Sequence, residues 1–109
     1  MTNIKVVMQN NSIAEVICDG HTGYGVEGED IVCAALSSIV QTALLGLLQV
    51  ACVNVDYERR DDDGYLRITL PSNLSREDRH SADIILNTML LGISDLYQGF
   101  SDFIELEVQ

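Results

Sequence analysis

Residues 19–38 read DGHTGYGVEGEDIVCAALSS, and we expect the rest of the chain to be organised around this stretch. Its first half contains too much glycine to form a helix or a paired strand. Its second half opens the most apolar helix that the sequence predicts. His21 falls in the loop and Cys33 in the first turn of the helix, so this junction is where we expect chemistry.

Length and composition indicate one globular domain that spans residues 1–109. With 109 residues, of which 47% are hydrophobic, the chain can bury a single, mainly aliphatic core. Its three cysteines are an odd number, and the first residues lack the apolar segment of a secretory signal. We therefore expect reduced thiols and a cytoplasmic protein.

The chain is strongly acidic, with 17 Asp and Glu against 6 Lys and Arg and a formal net charge of -11. Such a surface repels phosphate backbones, so we expect no direct nucleic-acid binding, whereas basic partners would be attracted. The apolar segment 31–51 approaches the length of a membrane span. Polar residues at 38, 41, 42 and 49 fall on one side of it at helical spacing, which favours a core helix and no membrane interaction.

Alternating apolar residues predict five strands and a wider apolar periodicity predicts two helices. The predicted strands cover residues 4–8, 14–18, 52–58, 65–70 and 103–108. The predicted helices cover residues 31–50, capped by Asp30, and 75–97, with a capping box at Ser75 and a stop at Gly99. Turn residues at 9–12 and 62–64 make each of the first two strand pairs a hairpin.

This order, β-β-α-β-β-α-β, predicts an α+β fold: a single domain with a mixed, mostly antiparallel β-sheet and two α-helices. The first helix leaves only a narrow polar stripe, so it has to be covered on more than one side, by the sheet and by the second helix or a partner subunit. We expect Cys18 and Cys52 in the core and His80 facing solvent.

His21 and Cys33 form the candidate catalytic pair. A nucleophilic cysteine has to be a thiolate, which a helix N-terminus and a neighbouring imidazolium both stabilise. Cys33 follows the expected cap by three residues, and His21 lies in a loop that can fold back over that helix end. Free backbone N–H groups at the same place can hold an oxyanion.

The loop before the helix carries glycine at positions that permit positive φ angles and the movement of a closing loop. These are Gly20, Gly23, Gly25 and Gly28. Asp30 is either only a helix cap or a carboxylate that orients His21 and completes a triad. A carboxylate so close to Cys33 would also oppose thiolate formation.

Two other interpretations involve the same residues. A cysteine on an apolar helix can be simply a small buried hydrophobe. Cys18, His21 and Cys33 could also be three zinc ligands, but the sequence has no Cys-x-x-Cys pair and no evident fourth ligand. We therefore expect no metal and no cofactor.

The residues from 20 to 37 resemble the signature of the ribosomal-processing cysteine protease family (Prp). That signature has Gly-His, a Gly-Tyr shortly after, then Gly-x-Asp-Ile-Val-Cys-Ala and a serine one turn later. Here these positions are Gly20-His21, Gly23-Tyr24, residues 28–34 and Ser37. The length and the predicted element order also match, so the resemblance covers the whole chain.

The resemblance implies a cysteine endopeptidase that removes a short N-terminal extension from the bacterial large-subunit ribosomal protein L twenty-seven. It implies Cys33 as nucleophile and His21 as general base, with Asp30 and Ser37 at further motif positions near the site. It also implies a cytoplasmic homodimer. An acidic enzyme suits a basic ribosomal protein as substrate, and the apolar excess of the first helix suits burial in a dimer.

A small acidic chain without a cofactor motif also fits a different class of protein. In that alternative it is a non-enzymatic, ribosome-associated binding protein, and Cys33 is an inert core residue.

Overall fold

Two helices cover one face of a five-stranded sheet in the computed structural model, which describes residues 1–20, 29–61 and 64–109, without the side chains of residues 29 and 30. The elements are β1 Thr2–Gln9, β2 Ser12–Gly20, α1 Glu29–Leu45, β3 Asp56–Arg60, β4 Tyr65–Thr69, α2 Arg76–Phe100 and β5 Ile104–Val108. A π-helical turn, Gly46–Val50, extends α1. The predicted element order is confirmed.

The sheet is mixed and mostly antiparallel, as predicted. Its strand order is β3-β4-β2-β1-β5. The pairs β1/β2, β2/β4 and β3/β4 are antiparallel, and β5 runs parallel to β1. The strand that precedes His21 and Cys33 in the chain, β2, is the central strand of the sheet.

The first hairpin closes through two asparagines with left-handed backbones. Gln9 pairs with Ser12, and Asn10 and Asn11 have φ angles of 52° and 65°. A two-residue turn of this kind follows the twist of the strands and accepts asparagine readily, which confirms the predicted turn.

The second strand is longer than predicted. It continues through Asp19 and Gly20, which pair with Asn3 and Thr2. The expectation that the stretch from residue 19 onward contains no paired strand is therefore wrong for its first two residues. Gly20 can continue the strand because the buried, inward-facing series that includes Val16 and Cys18 reaches it without a break.

The core is aliphatic and lies between the sheet and the helices. It comprises inward residues of the central strands, among them Ile4, Val6, Val16, Cys18, Leu66 and Ile68, and the apolar faces of the helices, among them Val32, Leu36, Val40, Leu47, Ala82, Leu86, Met89 and Ile93. On the opposite face of the sheet, the side chains of β1, β2 and β4 are only partly buried. Both helices therefore pack on the same face, the one that carries the core residues.

The helix α1 begins at Glu29, so Asp30 lies inside its first turn and is not the N-cap that we predicted. Cys33 is accordingly the fifth residue of the helix. By length and composition the segment Ile31–Val50 could cross a membrane, with a mean hydropathy of 2.1, the one such segment in the part of the chain that the structure describes.

The end of the first helix places Cys52 on the surface. Cys52 adopts a left-handed backbone, with a φ of 56°, and the N–H of Val53 returns to the carbonyl of Leu47 at 2.8 Å. This closure commonly ends a helix and reverses the chain. Because the turn directs residue 52 outward, the thiol is exposed, and its prediction as a core residue is wrong.

The outer hairpin and the second helix differ from prediction at their ends. Val53 and Val55 are buried in the connection, and β3 starts only at Asp56, with every residue exposed. Ser75 caps α2 as predicted, its Oγ accepting from the N–H of Asp78 at 3.1 Å. The helix continues through Gly99 to Phe100, and Ser101 is its C-cap, so the predicted stop at Gly99 is one residue early.

The apolar periodicity of the second helix predicts a buried face made of Ile84, Ile85, Leu86, Met89, Leu90, Ile93 and Leu96, and this face is correct except at Ile84. Leu86, Met89 and Ile93 are buried, whereas Ile84 is 55% exposed. His80 faces solvent as expected. The second hairpin is confirmed, with Gly64 at a φ of 64°; Asp62 and Asp63 of its predicted turn lie outside the described residues.

Candidate active site

The candidate active site forms where α1 approaches the end of β2. Cys33 is 5% exposed and lies against Gly20. A Cβ atom added to Gly20 would stand 2.7 Å from the Cys33 sulfur, closer than real Cβ contacts allow. Helix and strand can therefore come this close only because residue 20 has no side chain.

A second glycine holds the end of β2 in place. The N–H of Gly20 donates to the carbonyl of Gly64 at 2.9 Å. A Cβ atom on Gly64 would collide with the carbonyl oxygen of Gly20. The β3–β4 hairpin is thereby fixed beside Cys33, and Gly20, which we assigned to a mobile loop, is the last residue of a strand.

A cleft of about 410 Å³ opens beside Cys33. It is lined by Cys33, Ala34, Ser37 and Gln41 of α1, and by Arg59, Arg60, Asp61, Gly64, Tyr65 and Leu66 of the β3–β4 hairpin. Cys33 and Ser37 are one helical turn apart, so they share this wall. The cleft is large enough to receive several side chains of an extended peptide.

Of the residues predicted for the site, the structure brings Cys33 and Ser37 together in the cleft. His21, Gly23, Gly25 and Gly28 lie outside the described residues, as does the side chain of Asp30. The relation of His21 to Cys33 therefore stays a prediction. In the sequence His21 follows Gly20, and Gly20 lies against the Cys33 sulfur.

The second cysteine of the core lies next to the site but is not available for chemistry. Cys18 faces inward on β2, two residues before Gly20, and is buried. Burial, together with the nearby Cys33 and Asp19, raises the pKa of the Cys18 thiol to about 12. Cys18 is therefore a neutral thiol near pH 7, as expected of a core residue.

The polar wall of the cleft is the part that sequence reasoning missed. Arg59 and Arg60 line the cleft, and Arg67 lies on the same hairpin, so this hairpin carries half of the chain's six basic residues. In a chain of net charge -11 this clustering was a usable signal. Residues 61–64 next to these arginines have the sequence of a hairpin turn, and that turn signal alone does not indicate a functional surface.

The arginines of this wall are held by their neighbours. The Arg59 Nε lies 2.6 Å from the Asp61 Oδ1, and the Arg60 Nη1 lies 2.6 Å from the Glu58 Oε2. The Arg60 guanidinium also stacks 4.0 Å from the centre of the Tyr65 ring. Exposed pairs of this kind contribute little stability, but they fix where the positive charge lies.

The described residues contain no cluster of three or more His, Cys, Asp or Glu side chains able to hold a metal ion. The alternative zinc set of Cys18, His21 and Cys33 includes a residue outside that part. The chemistry that the described geometry supports is that of a buried, cleft-lining thiol near the start of a helix.

Comparison with known proteins shows which family shares this arrangement. The sequence model of the cysteine protease Prp family matches residues 1–105. The chain belongs to the Prp family of cysteine proteases. It is thus a peptidase of the ribosomal-processing family, which confirms the prediction of an enzyme.

Relatives in the Prp family match along most of their length. The ribosomal processing cysteine protease Prp of Staphylococcus aureus (strain Mu50) is 27% identical over 100 residues, 92% of this chain and 91% of that protein. The Prp of Bacillus subtilis (strain 168) is 24% identical over 83 residues, 76% of this chain and 74% of that protein.

Solved structures share the fold. The crystal structure of an essential ribosomal processing protease Prp from S. aureus, in complex with a substrate peptide, has a TM-score of 0.88 and 23% identity over 100% of both chains. A crystal structure of a Streptococcus mutans protein has a TM-score of 0.84 and 27% identity, over 100% of this chain and 96% of that one.

The contact between Gly20 and Cys33 predicts a specific energetic coupling. We expect Gly20→Ala to lower the free energy of unfolding by about 1–3 kcal/mol, because the new Cβ overpacks against the sulfur. In a Cys33→Ala background the same change should cost at least about 1 kcal/mol less. Urea denaturation of the four proteins of this double-mutant cycle measures both values.

Gly99→Ala is the matched control for this cycle. Nothing lies within 4 Å of a Cβ atom at Gly99, so this change should stabilise the helix by about 0.5–1 kcal/mol. An equal cost of Gly20→Ala in both backgrounds would show that the sulfur does not define the packing at residue 20.

The raised pKa of Cys18 predicts a loss of stability in alkali. Below the ordinary thiol pKa of 9.0, Cys18 keeps its proton in both the folded and the unfolded chain, so the buried neutral thiol contributes its full stability to the folded state. Above it the unfolded chain ionises while the folded chain does not. The advantage of the wild type over Cys18→Ala should then shrink by about 1.4 kcal/mol per pH unit between pH 9 and 12.

Urea denaturation of wild type and Cys18→Ala from pH 7 to pH 11 measures this difference. A constant difference across that range would mean that Cys18 ionises as easily in the folded protein as in the unfolded chain.

Proposed function

We propose that this Prp-family chain is a cysteine endopeptidase in which Cys33 is the nucleophile and His21 the general base. Its proposed substrate is the precursor of the bacterial ribosomal protein L twenty-seven, from which it removes the short N-terminal extension. The observation that carries the proposal is that Cys33 lines the cleft. Cys18 faces the core from β2 and has a raised pKa, and Cys52 is exposed on a helix-ending turn.

The proposed reaction follows from the position of the sulfur. The Cys33 thiolate attacks the carbonyl carbon of the scissile bond, the amine leaves with a proton from His21, and a thioester joins the N-terminal fragment to the enzyme. Water activated by His21 then releases that fragment. Since Cys33 is the fifth residue of α1, the free N–H groups that can hold the oxyanion belong to residues before Val32.

The other motif residues take supporting roles in this proposal. Ser37 lies one turn after Cys33 on the wall of the cleft, where its hydroxyl can bind the substrate. Asp30 lies in the first helical turn, where it can orient His21. Glycines 23, 25 and 28 would allow the loop that carries His21 to close over a bound peptide.

Charge and relatives support a ribosomal substrate. The net charge of -11 favours encounter with a basic ribosomal protein. The relatives in S. aureus and B. subtilis are named for ribosomal processing. Three free cysteines support a reducing compartment, so we place the activity in the cytoplasm.

The proposal predicts a single cut in a peptide that spans the L twenty-seven extension. Wild type should release one N-terminal fragment, and Cys33→Ala none, because the attacking sulfur is gone. Mass spectrometry of the products measures both. Cys52→Ala is the matched control, since it also removes one thiol but lies away from the helix start, and it should keep wild-type activity.

Two results would contradict this assignment. Cleavage by Cys33→Ala would mean that another residue is the nucleophile. No cleavage by the wild type, with the full-length precursor as well as the peptide and under reducing conditions, would favour the binding-protein alternative.

We also propose that the protein is a homodimer whose subunits meet at a groove between α1 and α2. This groove, of about 500 Å³, is almost wholly apolar; its lining includes Ile39, Val50, Ile84, Ile85 and Met89. Val50 is 82% exposed and Ile84 is 55% exposed. An exposed apolar surface of this kind is typical of an interface between subunits.

Sedimentation equilibrium of the full chain tests this assembly. Wild type should be dimeric, and Ile84→Glu should shift the protein to monomer because it buries a charge in the interface. Asn87→Glu, an exposed position on the same helix outside the groove lining, should leave the dimer intact. A monomeric wild type would contradict the proposal.

A further inference from the structure

The hydroxyl of Thr2 is an unexplained polar group in the core. Thr2 is 1% exposed, the one fully buried polar residue in the described part of the chain. Its Oγ1 has no hydrogen-bond partner among the described residues. A buried hydroxyl without a partner costs free energy that valine, of the same shape, would avoid.

The surroundings of Thr2 offer its hydroxyl little to bind. Thr2 pairs with Gly20 on β2 and with Ile104 on β5, so neither neighbour in the sheet has a polar side chain. The backbone N–H of Thr2 donates to the carbonyl of Phe103 at 2.9 Å. The backbone N–H is therefore satisfied, whereas the hydroxyl has no partner among the described residues.

The same small space also contains the Cys33 sulfur. From the point where Gly20 would carry a Cβ atom, the Thr2 Oγ1 lies 3.3 Å away and the Cys33 Sγ 2.7 Å away. The missing side chain of Gly20 thus leaves the hydroxyl and the sulfur facing one common space. The sulfur is the side-chain atom there that can accept a hydrogen bond when it is ionised.

We propose that Thr2 is a positioning residue for the nucleophile: its hydroxyl donates a hydrogen bond to the Cys33 thiolate across the space that Gly20 leaves open. This inference rests on the proposed role of Cys33. A donor aimed at the charged form of an acid favours that form, and bonds to charged groups are stronger than neutral ones. While Cys33 is a neutral thiol, the Thr2 hydroxyl has no partner among the described residues. Ionisation of Cys33 gives this hydroxyl an acceptor and so stabilises the thiolate.

The test measures how fast iodoacetamide modifies Cys33 as a function of pH in the full chain, with peptide mapping to separate the three thiols. Thr2→Val should lower the rate at Cys33 about tenfold at neutral pH. The pH of half-maximal rate should rise by about one unit, because the thiolate loses its donor. Thr2→Ser keeps the hydroxyl and should stay within about twofold of the wild type.

Stability separates this role from a structural one. Thr2→Val removes a buried hydroxyl without a partner, so its thermal midpoint should be equal to or higher than that of the wild type. Thr69→Val is the matched control on the same sheet. The Thr69 hydroxyl donates to Glu15 and accepts from Arg67, both at 2.7 Å. This change should lower the midpoint and leave the pH profile of Cys33 unchanged.

The outcomes distinguish the two proposals. If Cys33 in the wild type reacts no faster than Cys52, the proposed nucleophile itself fails. If Cys33 is selectively reactive in the wild type and Thr2→Val leaves its pH profile unchanged, the nucleophile stands and the role of Thr2 is refuted. A lower midpoint for Thr2→Val with an unchanged profile would likewise assign the hydroxyl a structural role.

Discussion

The close approach of the Cys33 sulfur to Gly20 is the constraint on which the site depends. An apolar helix packs on a sheet through its side chains, which normally keep the two backbones well apart. Here the start of α1 comes down onto the end of β2 because residue 20 offers only a hydrogen atom. The sulfur is therefore held in the core and yet at the wall of a cleft, and its position is set by packing on two elements.

The hairpin formed by β3 and β4 completes the arrangement. Gly64 reaches Gly20 through a backbone hydrogen bond and by the absence of a side chain. Two glycines far apart in sequence thus make one contact, which brings Arg59, Arg60 and Tyr65 to the cleft. In a chain of net charge -11, these arginines, each paired with a carboxylate, bring charges of both signs to the cleft that Cys33 lines.

Local chemistry explains what could be predicted from the sequence. The asparagine turn, the cap at Ser75 and the alternation of the central strands each depend on residues close together in the chain, so the fold class and the element order were predictable. The family motif identified Cys33 and Ser37, which the structure places on one wall. The role of His21 stays a prediction.

Errors arose where distant parts of the fold decide the outcome. Cysteine is a residue type that is usually buried, which favours a core position for Cys52. The end of the first helix, however, requires a left-handed backbone at this residue, and that conformation directs its side chain to solvent. Ile84 fits the apolar periodicity of α2 but faces the groove beside α1 and is left exposed. The hydroxyl of Thr2 gave no signal at all, because only the pairing of β1 with β2 brings it to Gly20.

Trapping the covalent intermediate tests most directly whether Cys33 is the nucleophile. Enzyme and peptide substrate are mixed, quenched in acid during turnover and digested, and the site of the added mass is mapped. We expect a thioester of the N-terminal fragment on the peptide that contains Cys33. A thioester on Cys18 or Cys52, or cleavage in which no acyl-enzyme forms at any thiol, would contradict it.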